Sequence, residues 1–81
     1  MIVQVKLFAA ARQLLDQDTV QLELPDGATV GVLRQALKQQ FPPLGFLADR
    51  SLVAVGLQYA GDEVRLCHDQ EIALIPPVSG G

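Results

Sequence analysis

Thr19-Val20-Gln21-Leu22-Glu23-Leu24-Pro25-Asp26-Gly27-Ala28-Thr29-Val30-Gly31-Val32-Leu33-Arg34-Gln35-Ala36-Leu37-Lys38-Gln39-Gln40-Phe41 changes its hydrophobic period halfway along, and that change decides the fold. Up to Leu24 the apolar residues alternate. Val20, Leu22 and Leu24 point one way and Gln21 and Glu23 the other, as in a half-buried strand. Pro25-Asp26-Gly27 then supplies a turn: a fixed φ, a side-chain acceptor and a permissive φ. Thr29 is placed to cap a helix over Val30 to about Gln40. Val30, Leu33, Leu37 and Phe41 fall on one face of it, with Ala36 beside them, while Arg34, Gln35, Lys38 and Gln39 point elsewhere. Pro42-Pro43 ends the helix.

Outward from that unit the chain returns to strands on both sides. Ile2 to Phe8 alternates Val3, Val5 and Leu7 with Gln4 and Lys6, a second half-buried strand. Ala9 to Leu15 is rich in helix formers and predicts a short helix, closed by the polar turn Asp16-Gln17-Asp18. After the prolines the stretch to Ser51 is loop, with one helical turn near Leu44 to Ala48. Leu52 to Leu57 is almost continuously apolar and reads as a buried strand. Ala60-Gly61-Asp62 turns the chain, Glu63 to Leu66 pairs briefly, and Cys67-His68-Asp69-Gln70 turns it again. Glu71 to Ile75 is the last strand, stopped by Pro76-Pro77, which cannot donate to a ladder. Strand, strand, main helix, strand, short strand, strand is the order of an α+β domain of the β-grasp (ubiquitin-like) type, a mixed sheet packed on one main helix. In that topology the first and last long strands lie parallel at the sheet centre. The division expected is a β-grasp domain over residues 1–75 and a flexible Gly-Gly tail over residues 76–81.

Composition limits what such a domain does. With 81 residues, 49% hydrophobic and 19% charged, the chain is one folding unit rather than a disordered one. A net charge of −3 argues against nonspecific nucleic-acid binding, which needs a basic footprint, and suits docking into a basic groove. No apolar run reaches the length of a membrane span, and Met1-Ile2-Val3-Gln4 lacks a signal peptide's basic start and apolar core. The lone Cys67 has no internal disulfide partner. Together these features lead to the expectation of a reducing cytoplasm, with no membrane and no nucleic acid as partner.

Strand parity predicts a patch. If Val3, Val5 and Leu7 face the core, then Gln4, Lys6 and Phe8 share the open face of the sheet. If Ile72 and Leu74 face the core, then Glu71, Ala73 and Ile75 share that open face. Phe8 and Ile75 are then apolar residues on the solvent side, at the strand ends from which the tail departs, with Tyr59 near enough to join them. Such a patch marks a partner surface unless the short helix or a loop covers it.

The second functional signal is Gly80-Gly81, with which this sequence closes. A glycine carboxylate has no Cβ to obstruct threading into a narrow channel, and its φ is nearly unrestricted. Activated as an acyl-adenylate by ATP, it accepts a sulfur, oxygen or nitrogen nucleophile. The alternative is an incidental end. Side-chain chemistry offers no competitor. Cys67 and His68 are adjacent, and adjacent residues on a turn diverge, so a nucleophile–base pair is not expected. Two ligands also fall short of a zinc site. Asp62, Glu63, Asp69 and Glu71 match no calcium loop and read as solvated turn charges. No metal site and no catalytic constellation is expected, which supports a chain whose reactive group is its own C-terminus.

Ala73-Leu74-Ile75-Pro76-Pro77-Val78-Ser79-Gly80-Gly81 resembles the C-terminal signature of the small, sulfur-carrier subunits of molybdopterin synthase, the MoaD/ThiS-like β-grasp family. Phe8-Ala9-x-x-Arg12-x-Leu14 and Thr29-Val30-x-x-Leu33 resemble the same family, so the likeness spans the chain. The tail is its specific part. The resemblance implies that an ATP-dependent adenylating enzyme activates Gly81 and a sulfur donor protein converts it to a thiocarboxylate. The tail then enters the large catalytic subunit and gives sulfur to cyclic pyranopterin monophosphate, in a heterotetramer of two small and two large subunits. It further implies docking through Phe8, Tyr59 and Ile75, with Pro76, Pro77, Val78 and Ser79 leading Gly80 and Gly81 into the partner. No cofactor is held permanently, and ATP belongs to the activating enzyme. Gly56 stands where many relatives carry asparagine, and His68-Asp69-Gln70 replaces a usual Asp-Gly-Asp turn. The alternatives are a carrier for thiazole or thiolated tRNA synthesis, a ubiquitin-like modifier forming isopeptide bonds, and a plain β-grasp interaction module. Thiazole carriers tend to be shorter and to lack Pro-Pro-Val-Ser.

Overall fold

Alternation sets the first strand, β1 (Ile2–Leu7), in which Val3, Val5 and Leu7 are buried and the residues between them exposed. It pairs antiparallel with β2 (Thr19–Glu23), Val3 opposite Leu22 and Val5 opposite Val20, so two apolar rows meet on one side. Between them lies the short helix α1 (Ala9–Leu15), and after them the main helix α2 (Val30–Gln40). A 3-10 turn (Pro42–Leu44) and helix α3 (Gly45–Ala48) follow, then β3 (Leu52–Val55), β4 (Gln58–Tyr59) and β5 (Ile72–Ile75). This computed structural model describes residues 1–77.

The sheet order is β2-β1-β5-β3-β4. β5 runs parallel to β1, with Leu74 beside Leu7, and antiparallel to β3, with Leu74 beside Val53. The first and last long strands are therefore central neighbours, and the fold is a β-grasp α+β domain. Helix α2 covers one face of the sheet. Val30, Leu33, Ala36 and Leu37 are its buried residues, and they join Val3, Val5, Leu7, Leu22, Ile72 and Leu74 in one core. Each of these valines, leucines and isoleucines contributes about 1.5–3 kcal/mol when taken from water. Thr29 caps α2 as expected, its Oγ1 accepting from the Val32 N–H at 3.3 Å.

Two local expectations change. The apolar run Leu52 to Leu57 is not one strand, because β3 stops at Val55 and Gly56 and Leu57 turn the chain with φ of +58° and +70°. Positive φ at both central positions is what a tight hairpin turn matched to strand twist requires. Gly56 meets that demand, as asparagine also does. The brief strand is consequently Gln58–Tyr59, and Glu63 to Leu66 contributes only the single bridge Thr29–Arg65. Arg34 lies off the apolar face of α2, as expected, and is held there by a set of bonds. Its Nε donates to Asp62 Oδ1 at 2.8 Å and its Nη1 to the carbonyls of Ala48 and Ser51 at 2.5 and 2.7 Å, tying α2 to the segment before β3. Asp69 keeps a negative φ, so the turn before Glu71 makes no demand for glycine there.

Candidate functional site

The face of the sheet away from α2 follows from the register. Lys6 lies beside Ala73, Ala73 beside Ala54, and Ala54 beside Tyr59, while Ile75 lies beside Leu52. Phe8 continues the line of β1. Its φ of −126° and ψ of 157° are still extended, so its side chain keeps the parity of Lys6. The chain then breaks at Ala9, where φ is +50° and α1 begins.

The structure thus brings Phe8, Tyr59 and Ile75 to one face. Phe8 is 44% exposed and Tyr59 70%, while Ile75 is half-buried. Three members escape a reading of strand parity alone. Leu52, expected inside, is 51% exposed, because its pairing with Ile75 turns it outward. Ala54 forms part of the floor, and Leu57 is 87% exposed at the hairpin tip. Only the β3–β5 register and the position of the hairpin reveal them. Lys6, Phe8, Ala54, Leu57, Glu71 and Ala73 line a notch of about 120 Å³. Lys6 Nζ meets Glu71 Oε1 at 2.6 Å along its side, so a polar pair borders an apolar floor. A contiguous apolar area with a polar rim is the anatomy of a protein-docking surface.

The tail begins at the same end. β1 and β5 are parallel, so Phe8 and Ile75 mark one edge, and the chain leaves the sheet there. Pro76 is buried and anchors that exit, while Pro77 is exposed. Val78, Ser79, Gly80 and Gly81, the other residues expected to act, lie outside the described residues.

Among the described residues, side-chain chemistry does not assemble elsewhere. Among the described residues no three histidine, cysteine or carboxylate groups come together as a metal site. Cys67 is exposed, and its N–H donates to Gln70 Oε1 at 2.7 Å, closing the turn. His68 reaches Asp69, not the thiol, at 3.4 Å. Arg12 pairs with Asp18 at 3.0 Å across the α1–β2 connection. No helix among the described residues is long and apolar enough to cross a membrane.

The sequence matches the ThiS family over residues 5–81, nearly its whole length. The chain belongs to the ThiS family. Within it, the chain is 34% identical to the molybdopterin synthase sulfur carrier subunit of Arabidopsis thaliana, covering 98% of this chain and 82% of that one. It is 33% identical to the Haemophilus influenzae protein of the same name, covering 98% and 99%. Among solved structures, SAMP1 of Haloferax volcanii, a small archaeal modifier protein, superposes with a TM-score of 0.85 at 29% identity over the whole of both chains. The family's fold agrees with the strand order and register above.

Proposed function

We propose that this ThiS-family chain is the sulfur-carrier subunit of a molybdopterin synthase. The observation that carries the reading is the full-length likeness to sulfur carrier subunits of that enzyme, in a chain whose sequence closes on Pro76-Pro77-Val78-Ser79-Gly80-Gly81. The described structure supports it with an open apolar face at the edge from which that segment leaves.

The chemistry follows from the carboxylate. An adenylating enzyme uses ATP to convert the Gly81 carboxylate to an acyl-adenylate, with pyrophosphate leaving. A sulfur donor protein supplies sulfur in place of AMP and leaves a thiocarboxylate, a far better nucleophile than the parent carboxylate. The large catalytic subunit receives the tail, and the sulfur passes to cyclic pyranopterin monophosphate. Two such transfers build a dithiolene. The domain over residues 1–75 docks through Phe8, Tyr59, Ile75 and their neighbours, and the tail over residues 76–81 reaches the reaction. Buried Pro76 fixes where the tail starts, and the prolines stiffen its base. The chain holds no cofactor of its own, works in the cytoplasm, and assembles as a heterotetramer with the large subunit.

The likeness to SAMP1 favours one second reading, a protein modifier whose Gly81 forms isopeptide bonds. Reconstitution separates the two. Thiocarboxylated chain plus the organism's large synthase subunit is expected to convert cyclic pyranopterin monophosphate to molybdopterin, and the chain lacking Gly81 to yield none. Failure of the thiocarboxylated chain, with lysine-linked conjugates in its place, would replace the carrier by the modifier.

A further inference from the structure

Both ends of a sheet present unpaired backbone groups, and here the two ends differ in kind. β4 has two residues, too few to template a partner strand. β2 is longer and fully formed. Which of its groups face outward follows from its bonds to β1. The Leu24 N–H donates to the Met1 carbonyl at 2.8 Å, and the Met1 ammonium donates to the Leu24 carbonyl at 2.6 Å. At the other end the Leu7 N–H donates to the Asp18 carbonyl at 2.8 Å. In an antiparallel pair the bonded residues alternate, so Asp18, Val20, Leu22 and Leu24 spend their groups on β1. Thr19, Gln21 and Glu23 therefore turn both N–H and C=O outward.

One of those three is already occupied. The side chain of Gln40, the last residue of α2, lies against Glu23 as a strand residue would. Its Oε1 accepts from the Glu23 N–H at 3.1 Å, and its Nε2 donates to the Glu23 carbonyl at 2.9 Å. No described side chain bonds the outward groups of Thr19 or Gln21.

The edge is self-complementary about Gln21. A second copy laid antiparallel across a two-fold axis there sets Thr19 opposite Glu23, Gln21 opposite Gln21, and Glu23 opposite Thr19. No like charges oppose each other, and the core-facing Val20 and Leu22 keep their side. Every outward group would find a partner except where Gln40 has taken Glu23. That occupation blocks the outer rungs at both ends of the two-fold ladder and leaves only the central Gln21 pair.

We infer that the outer edge of β2 is a self-association surface for a second copy of this chain, held shut by the carboxamide of Gln40. The guard keeps the free chain single. It is independent of the carrier chemistry.

Sedimentation equilibrium of the full chain at millimolar concentration tests this, with wild type, Gln40→Ala, and Gln40→Ala combined with Gln21→Pro. Wild type is expected to sediment at the mass of one chain and Gln40→Ala to shift reversibly towards two. Proline at 21 removes an outward N–H without taking a bond from β1, so the double variant is expected to return to one. Hydrogen exchange gives the local reading: the Glu23 amide loses protection in dilute Gln40→Ala, and the Gln21 amide gains it as that variant associates. A wild type that already dimerises would overturn the inference. So would a folded Gln40→Ala that stays monomeric, or one whose association ignores proline at 21 and so runs through another surface such as the apolar open face.

Discussion

Leu57 holds φ at +70° while most of its side chain stands in water. The left-handed region costs a residue with a Cβ roughly 1–2 kcal/mol, and an exposed leucine recovers little of that by burial. Glycine at the same position removes the strain but gives the unfolded chain more entropy to lose on folding, which offsets part of the gain, so Leu57→Gly is expected to stabilise the isolated domain by about 0.5–1 kcal/mol. Urea denaturation measures it. The same variant strips a wall from the notch and is expected to weaken binding to the large subunit proposed as its partner, read by calorimetry. Phe8 carries the opposite balance. Truncation to alanine leaves the core untouched, and loss of an aromatic anchor is expected to weaken that binding about tenfold or more. The Lys6–Glu71 pair is half exposed on both sides, so Glu71→Gln is expected to change stability by less than about 1 kcal/mol.

Elements differ in how much of them the sequence shows. α2 is legible because cap, apolar stripe and proline stop agree, and the structure places it over Val30–Gln40. β4 is not legible. Gly-Leu is a poor tight-turn pair by residue preference, so Leu52 to Leu57 looks like one strand, and the turn forms because tertiary pairing overrides local preference. Arg34 was hidden for a related reason: its partners, the Ala48 and Ser51 carbonyls, belong to a connection whose path no periodicity reports. Two expectations belong to these elements. Thr29→Ala removes the cap of α2 and is expected to cost about 1 kcal/mol. Arg34→Ala, which strands carbonyls behind a side chain only 13% exposed, is expected to cost about 2–3 kcal/mol. Thermal or urea unfolding ranks the two, with Arg34→Ala the worse.

Across the whole molecule, the parallel pairing of β1 with β5 does the organising. It brings Phe8 and Ile75 to one edge of the sheet, sets them on the face α2 leaves open, and takes the chain out of the sheet at that edge. Two strand parities and a proposed neighbour relation were enough to foresee this much. The parts that were not foreseen, Leu52, Ala54 and Leu57, depend on how β3 registers against β5 and where its hairpin folds. The tail chemistry is separate from the packing. The proposal rests it on Gly81, a residue with no side chain to contribute to a core. The most direct measurement is therefore the intact mass of the chain after incubation with the adenylating enzyme, ATP and a sulfide source. One oxygen-for-sulfur exchange, absent when Gly81 is deleted, is the predicted result. An unchanged mass, while a known carrier in the same mixture gains sulfur, would contradict the account.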